Sequence, residues 1–204
     1  MNAMPPSLHY LALGDSYTIG EAVAADRRWP AVLVQRLRAA GMSIDEPQIV
    51  AVTGWTTDEL AHGMDAATLT PPYDLVTLQI GVNNQYRGRP ADDYREQFAS
   101  LLARAIGLAG GRASRVVAVS IPDWGVTRFA REHGRDATQV ANELDAYDAI
   151  ARAETARAGA QWVDITAISR RHPDLLADDG LHPSAAQYAL WVELIAPVAD
   201  AALR

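Results

Sequence analysis

Leu75-Val76-Thr77-Leu78-Gln79-Ile80 is apolar nearly throughout, and Ile49-Val50-Ala51-Val52 and Val116-Val117-Ala118-Val119-Ser120 share its character. A half-exposed antiparallel ladder alternates apolar with polar residues, whereas a strand covered on both faces does not. The three runs therefore predict a buried parallel sheet. Leu8 to Leu13 and Trp162 to Ile165 supply two more strand candidates, and the full spans of the others are Gln48 to Val52, Leu75 to Ile80 and Val116 to Ser120.

Segments of helical period lie between them. Pro30 to Ala40 places Val32, Leu33, Leu37 and Ala40 on one side and stops at Gly41. Thr56 and Glu59 have the spacing of a capping box, opening a short helix through His62. Pro90 to Leu108 begins Pro-Ala-Asp-Asp, which suits the positive end of a helix dipole, and ends at Gly110-Gly111. Ala137 to Ala158 is a long Ala-rich amphipathic stretch ended by Gly159. A last helix is expected from Pro183 onward, with Pro197 kinking or ending it. The alternation of strand and helix implies a three-layer α/β/α fold with a doubly wound, five-stranded parallel sheet. No repeat, linker or low-complexity run divides residues 1–204, so one domain is expected.

Composition narrows the chemistry. The chain has 204 residues with 18 basic and 25 acidic side chains, for a formal charge of −7, and every basic residue is Arg. The absence of Lys excludes a cofactor Schiff base, a phosphate-loop lysine and a Ser-Lys dyad. The absence of Cys excludes thiol nucleophiles, thiolate metal sites and disulfides. Covalent catalysis is left mainly to a hydroxyl or a carboxylate, assisted by one of His9, His62, His133, His172 and His182. A net negative chain is a poor match for nucleic acid, whose phosphates call for a basic surface. No uncharged apolar run reaches the roughly 18 to 20 residues a membrane span requires. Met1 to Ser7 carries no basic region, so a cytoplasmic or already processed protein is expected.

In doubly wound folds the ligand sits beyond the carboxyl ends of the strands. That rule singles out Gly14-Asp15-Ser16-Tyr17, Thr53-Gly54-Trp55, Gly81-Val82-Asn83-Asn84, Pro122-Asp123-Trp124-Gly125 and Asp178-Asp179-Gly180-Leu181-His182-Pro183. Ser16 at a strand end suits an exposed nucleophile, and it equally suits a helix cap. Asp179 and His182 are spaced for a carboxylate to take the imidazole Nδ1–H locally, and Asp-Gly is also an ordinary turn. Gly54 and Asn83 could donate to a developing oxyanion through a backbone N–H and a side-chain amide, or merely form turns. A metal held by Asp178, Asp179 and His182 would lack further histidine ligands at this edge, and no metal is expected.

These segments, in this order from Gly14 to Pro183, resemble the four sequence blocks of the SGNH hydrolases, the GDSL esterase/lipase family. Tyr17 stands where the family name has Leu, and Asn84 where many members have Asp. The resemblance implies a flavodoxin-like SGNH hydrolase fold, with Ser16 as nucleophile, His182 as general base and acid, and Asp179 orienting it. It also implies an oxyanion hole formed by Ser16, Gly54 and Asn83, and no cofactor.

Trp55, Asn84, Tyr86 and Trp124 are the candidate substrate-binding residues; the aromatic ones could line a pocket or pack over the core. Residues 121–136 are long enough to form a rim over the site. Arg87 and Arg89 could meet an anionic group or lie solvated. A serine esterase acting on small or medium acyl esters is expected, its partner a small-molecule ester, with no stable membrane insertion. A nonenzymatic small-molecule or carbohydrate binder on the same fold is the alternative. A nucleotide binder lacks both Gly-x-Gly-x-x-Gly and a Lys.

Overall fold

The computed structural model describes residues 7–204, so residues 1–6, most of the stretch behind the expectation about targeting, lie outside the described part. Five strands, β1 (Tyr10–Gly14), β2 (Gln48–Ala51), β3 (Leu75–Gln79), β4 (Val116–Val119) and β5 (Gln161–Val163), form one sheet in the order β2-β1-β3-β4-β5. Every pairing is parallel, with Tyr10 opposite Leu75 and Leu13 opposite both Val50 and Leu78. The helices are α1 (Ser16–Ile19), α2 (Trp29–Ala39), α3 (Thr57–Ala66), α4 (Val82–Tyr86), α5 (Ala91–Leu108), α6 (Arg128–Glu132), α7 (Ala137–Ala158), α8 (Thr166–Arg171) and α9 (Ala185–Leu203). The helices α2 and α9 pack together, and α3, α5 and α7 form a second group. The expected three-layer, doubly wound sheet is present, and its order reverses between β1 and β3.

The polar exceptions in the central strand are satisfied as burial demands. Thr77 Oγ1 pairs with Tyr10 OH at 2.9 Å, and Gln79 Oε1 accepts from Trp29 Nε1 at 3.1 Å while Gln79 Nε2 donates to the Ser120 carbonyl at 3.1 Å. Trp29 and Gln79 thus fasten α2 to the sheet without leaving a buried polar atom idle.

Three expectations about element ends need correction. Val52 is half-exposed and lies outside β2, because the chain is already turning toward Gly54. Pro183 is not the first residue of α9: it bridges to Leu176, Ser184 caps the helix, and the first helical residue is Ala185, two positions later than expected. Pro197 does not end α9, since the helix continues to Leu203. Pro197 and Glu193, whose carbonyl loses its amide partner, are both exposed, while Ala196, Ala199 and Leu203 are buried and hold the last turns in place. The Thr56/Glu59 capping box forms as expected, with Thr56 N–H donating to Glu59 at 2.9 Å. Among the described residues no helix is long and apolar enough to cross a membrane.

Candidate active site

The reversal of strand order leaves a crevice at the carboxyl ends of β1 and β3, where loops depart in opposite directions. Asp15 follows β1 and caps α1 by accepting the Tyr17 N–H at 3.0 Å, which makes Ser16 the first helical residue. The Ser16 N–H has no acceptor among the described residues, as geometry requires of a first-turn donor. Burial pushes the Asp15 carboxyl up to about 7 against the opposing hydrogen bond from Tyr17. Burial, reinforced by the negative charges of Asp15, Asp123 and Asp179, likewise raises the Tyr17 phenol.

Beyond β2, Gly54 adopts φ +88°, a left-handed conformation that turns the chain back so that Trp55 N–H reaches the Val52 carbonyl. Arg87 Nη2 donates to the Gly54 carbonyl at 2.7 Å and pairs with Glu59 at 3.3 Å, while Arg89 pairs with Asp58 at 2.5 Å. Both arginines are committed to holding loops. Asn83, on α4 beyond β3, donates one amide hydrogen to the Trp55 carbonyl at 2.9 Å. That bond fixes the amide plane and leaves its second hydrogen available.

Asp179 and His182 meet as their spacing predicts. His182 Nδ1 lies 2.6 Å from Asp179 Oδ2, and Asp179 Oδ1 accepts the N–H groups of Leu181 and His182 at 2.9 and 3.0 Å. Burial raises the Asp179 carboxyl, but the His182 hydrogen bond, the two backbone donors and the imidazole charge outweigh it and leave Asp179 below the usual carboxylate range. The His182 ring packs edge-on against Tyr17, centroids 5.7 Å apart, and Tyr17 packs in turn against Trp191 of α9. Gly180, at φ +71°, permits the tight turn, and the Arg128 guanidinium lies against it.

Ser16, Asn83 and His182 all line one cavity of about 230 Å³, together with Tyr17, Val82, Tyr86, Trp124, Phe129 and Leu181. No hydrogen bond joins Ser16 Oγ to His182. Gly54 is not among the residues that line this cavity; its turn is held by the bonds of Asn83 to the Trp55 carbonyl and of Arg87 to the Gly54 carbonyl. Residues 121–136 form a wall: a short 3-10 turn, Trp124–Val126, contributes Trp124, and α6 contributes Phe129. Asp123 anchors that wall, accepting from Gly125 N–H at 2.9 Å and from Arg170 Nε at 2.8 Å, with its own N–H donating to Ser169.

Of the candidate substrate-binding residues, Tyr86 and Trp124 are in the cavity, packed edge to face with centroids 5.3 Å apart. Two expectations are overturned. Trp55 points away, its ring against Gly63 of α3, where the missing side chain leaves room for it. Asn84 is buried, accepting from Thr57 N–H at 3.1 Å and donating to Thr57 Oγ1 at 2.7 Å, so it ties α4 to α3 and does not reach the cavity. Tyr17, Val82, Phe129 and Leu181 line the cavity without having been named as substrate-binding candidates; the first two and Leu181 lie in the carboxyl-end loop segments singled out above, and Phe129 lies in the expected rim segment.

The fold is a doubly wound α/β sheet whose carboxyl-end crevice gathers Ser16, Asn83 and His182. The model of the GDSL-like Lipase/Acylhydrolase family matches residues 12–190, and the chain belongs to that family. Among solved structures, it is similar to TesA, with 18% identity, TM-score 0.74, and coverage of 96% of this chain and 99% of that one. A lipase/acylhydrolase from Enterococcus faecalis shares 22% identity at TM-score 0.71, covering 97% of each chain. The acetylxylan esterase Axe2 from Geobacillus stearothermophilus shares 18% identity at TM-score 0.69, over 96% of this chain and 94% of that one. A search of curated proteins finds no significant match.

Proposed function

We infer that the protein is a serine esterase that cleaves small or medium acyl esters through an acyl-enzyme on Ser16. The observation that carries this reading is the 2.6 Å Asp179–His182 hydrogen bond in the cavity that Ser16 and Asn83 also line. Ser16 Oγ attacks the ester carbonyl as its proton passes to His182 Nε2. Asp179 keeps the other imidazole hydrogen on Nδ1, so Nε2 is the basic nitrogen, and it stabilises the imidazolium that forms. The N–H groups of Ser16 and Gly54 and the free amide hydrogen of Asn83 receive the oxyanion. His182 then gives its proton to the departing alkoxide, and water, activated by the same nitrogen, releases the acid and restores Ser16.

The cavity falls below the roughly 300 to 1,000 Å³ common for drug-sized ligands, at about 230 Å³. Its aromatic and aliphatic lining suits a compact acyl group. No protein cofactor enters this sequence of steps. Ser16→Ala is expected to abolish p-nitrophenyl acetate hydrolysis while leaving the circular dichroism and Tm of the parent. A serine-directed organophosphonate is expected to give one adduct, on Ser16. Undiminished turnover in the variant, or inertness to the phosphonate, would favour a nonenzymatic binder.

A further inference from the structure

The cavity lining contains no Asp, Glu or Arg, but a cation stands against two of its aromatic rings. Arg135, in the turn between α6 and α7, places its guanidinium 5.2 Å from the centroids of both Tyr86 and Trp124. It is exposed, and its side chain has no carboxylate or carbonyl partner among the described residues. Arg28 and Arg152 share that lack of a partner, but among the described arginines only Arg135 stands over rings that line the cavity. Arg87, Arg89 and Arg170 are each spent on acidic side chains, and Arg128 and Arg131 donate to the carbonyls of Asp178 and Val126. The acids flanking Arg135 are themselves occupied: Asp136 accepts from Thr138 and Gln139 N–H, and Glu143 accepts from Gln85 and Gln139 side chains.

Attraction to the aromatic rings holds the guanidinium without using its N–H donors. Those donors form a planar fork matched to a carboxylate or phosphate. We propose that Arg135 is a specificity-determining residue that selects esters whose cavity-filling group ends in an anion, the carboxylate or phosphate being taken by the guanidinium at the outer side of the Tyr86–Trp124 wall. This rests on the esterase reading and narrows it to a substrate class. In a chain of net charge −7, a fixed cation at this position also offsets the general repulsion an anionic substrate would meet.

The test compares matched pairs. Mono-p-nitrophenyl adipate against p-nitrophenyl hexanoate places the anion on the acyl side; 4-acetoxybutanoate against butyl acetate places it on the alcohol side. The parent is expected to prefer the anionic member of one pair, and which pair identifies the group that fills the cavity. Arg135→Gln is expected to reduce that preference in kcat/KM by about tenfold, mainly through KM, with Arg135→Lys recovering part of it and added salt eroding the parent's preference. An equal loss on both members of the pair, or no anionic preference in either pair, overturns the proposal and leaves Arg135 as a brace for the two rings. Calorimetry of adipic acid monoamide against hexanamide on the Ser16→Ala protein separates this result from failure of the esterase reading. Tighter binding of the anion, lost in the additional Arg135→Gln variant, keeps the subsite even if no ester is turned over; equal binding removes it even if esters are.

Discussion

Gly180→Ala perturbs the site without touching a reacting atom. At φ +71° an alanine carries a left-handed penalty of about 1 to 2 kcal/mol. Its methyl group would also stand 2.7 Å from Arg128 Nη2 and 2.9 Å from Cζ, well inside contact distance, so the guanidinium must move. Movement forfeits the 2.7 Å bond from Arg128 Nη2 to the Asp178 carbonyl, worth about 1 kcal/mol. Together the loss is about 2 to 3 kcal/mol, which for a chain of this size lowers Tm by about 5 to 10 °C. Because Gly180 lies between Asp179 and His182, and its carbonyl accepts the Phe129 N–H at 2.9 Å, the imidazole shifts with it. A displacement near 1 Å is enough to cost about a hundredfold in kcat. The assay is a double-mutant cycle with Arg128→Ala, followed by thermal unfolding and ester hydrolysis. Removing the guanidinium relieves the clash, so the double variant should be more stable than the sum of the single changes by about 1 kcal/mol. Strict additivity, or parent-like Tm and kcat/KM in Gly180→Ala, would refute the reasoning.

On the proposed mechanism Asn83→Ala removes one oxyanion donor, together with the bond to the Trp55 carbonyl, and is expected to lower kcat by about 10² to 10³ with KM little changed; a loss below tenfold would make Asn83 a structural residue only. Stability should fall as pH rises from about 4 to 7, because burial pushes the carboxyls of Asp15 and Asp148 up to about 7 in the folded chain and the unfolded chain releases those protons near 3.9. The folded state therefore binds more protons across that window, and this contribution is complete below it and gone above it. Asp179, Asp58 and Glu59 are shifted the other way and lose their stabilising contribution below the window. Urea midpoints measured between pH 4.5 and 7.5 should decline, and Asp148→Asn, whose amide can still accept from Ile121 N–H and donate to Thr166, should flatten the decline. A midpoint that climbs through this range contradicts the assignment.

The sheet was legible because burial on both faces writes itself into consecutive residues: Leu75 to Gln79, Val116 to Val119 and Gln48 to Ala51 are strands where their apolar runs lie. Ends were less legible. Val52 is as apolar as Val50, and only the turn imposed at Gly54 takes it out of the ladder. Pro197 carries a strong local preference against helix, which the burial of Ala199 and Leu203 overrides. At the site, loop position alone brought Ser16, Asn83 and the Asp179–His182 pair to one edge, because strand ends fix where loops begin. Side-chain direction was not legible. Trp55 and Asn84 follow strand ends just as Asn83 does, yet the room above Gly63 draws the indole away and Thr57 draws the amide inward. Both choices depend on α3, which starts two residues after Trp55 but whose Thr57 lies 27 residues from Asn84.

One short helix concentrates much of the site. Within the five residues of α4, Asn83 lines the cavity that Ser16 also lines, Gln85 accepts the Trp124 Nε1–H at 2.8 Å, and Tyr86 forms the wall. Glu143 of α7 holds Gln85 from behind at 2.6 Å. On the proposed mechanism the oxyanion donor and the far wall are therefore set by the same turn of helix, so a change made at Tyr86 lies three residues from Asn83 and is braced by the same Gln85–Glu143 bond.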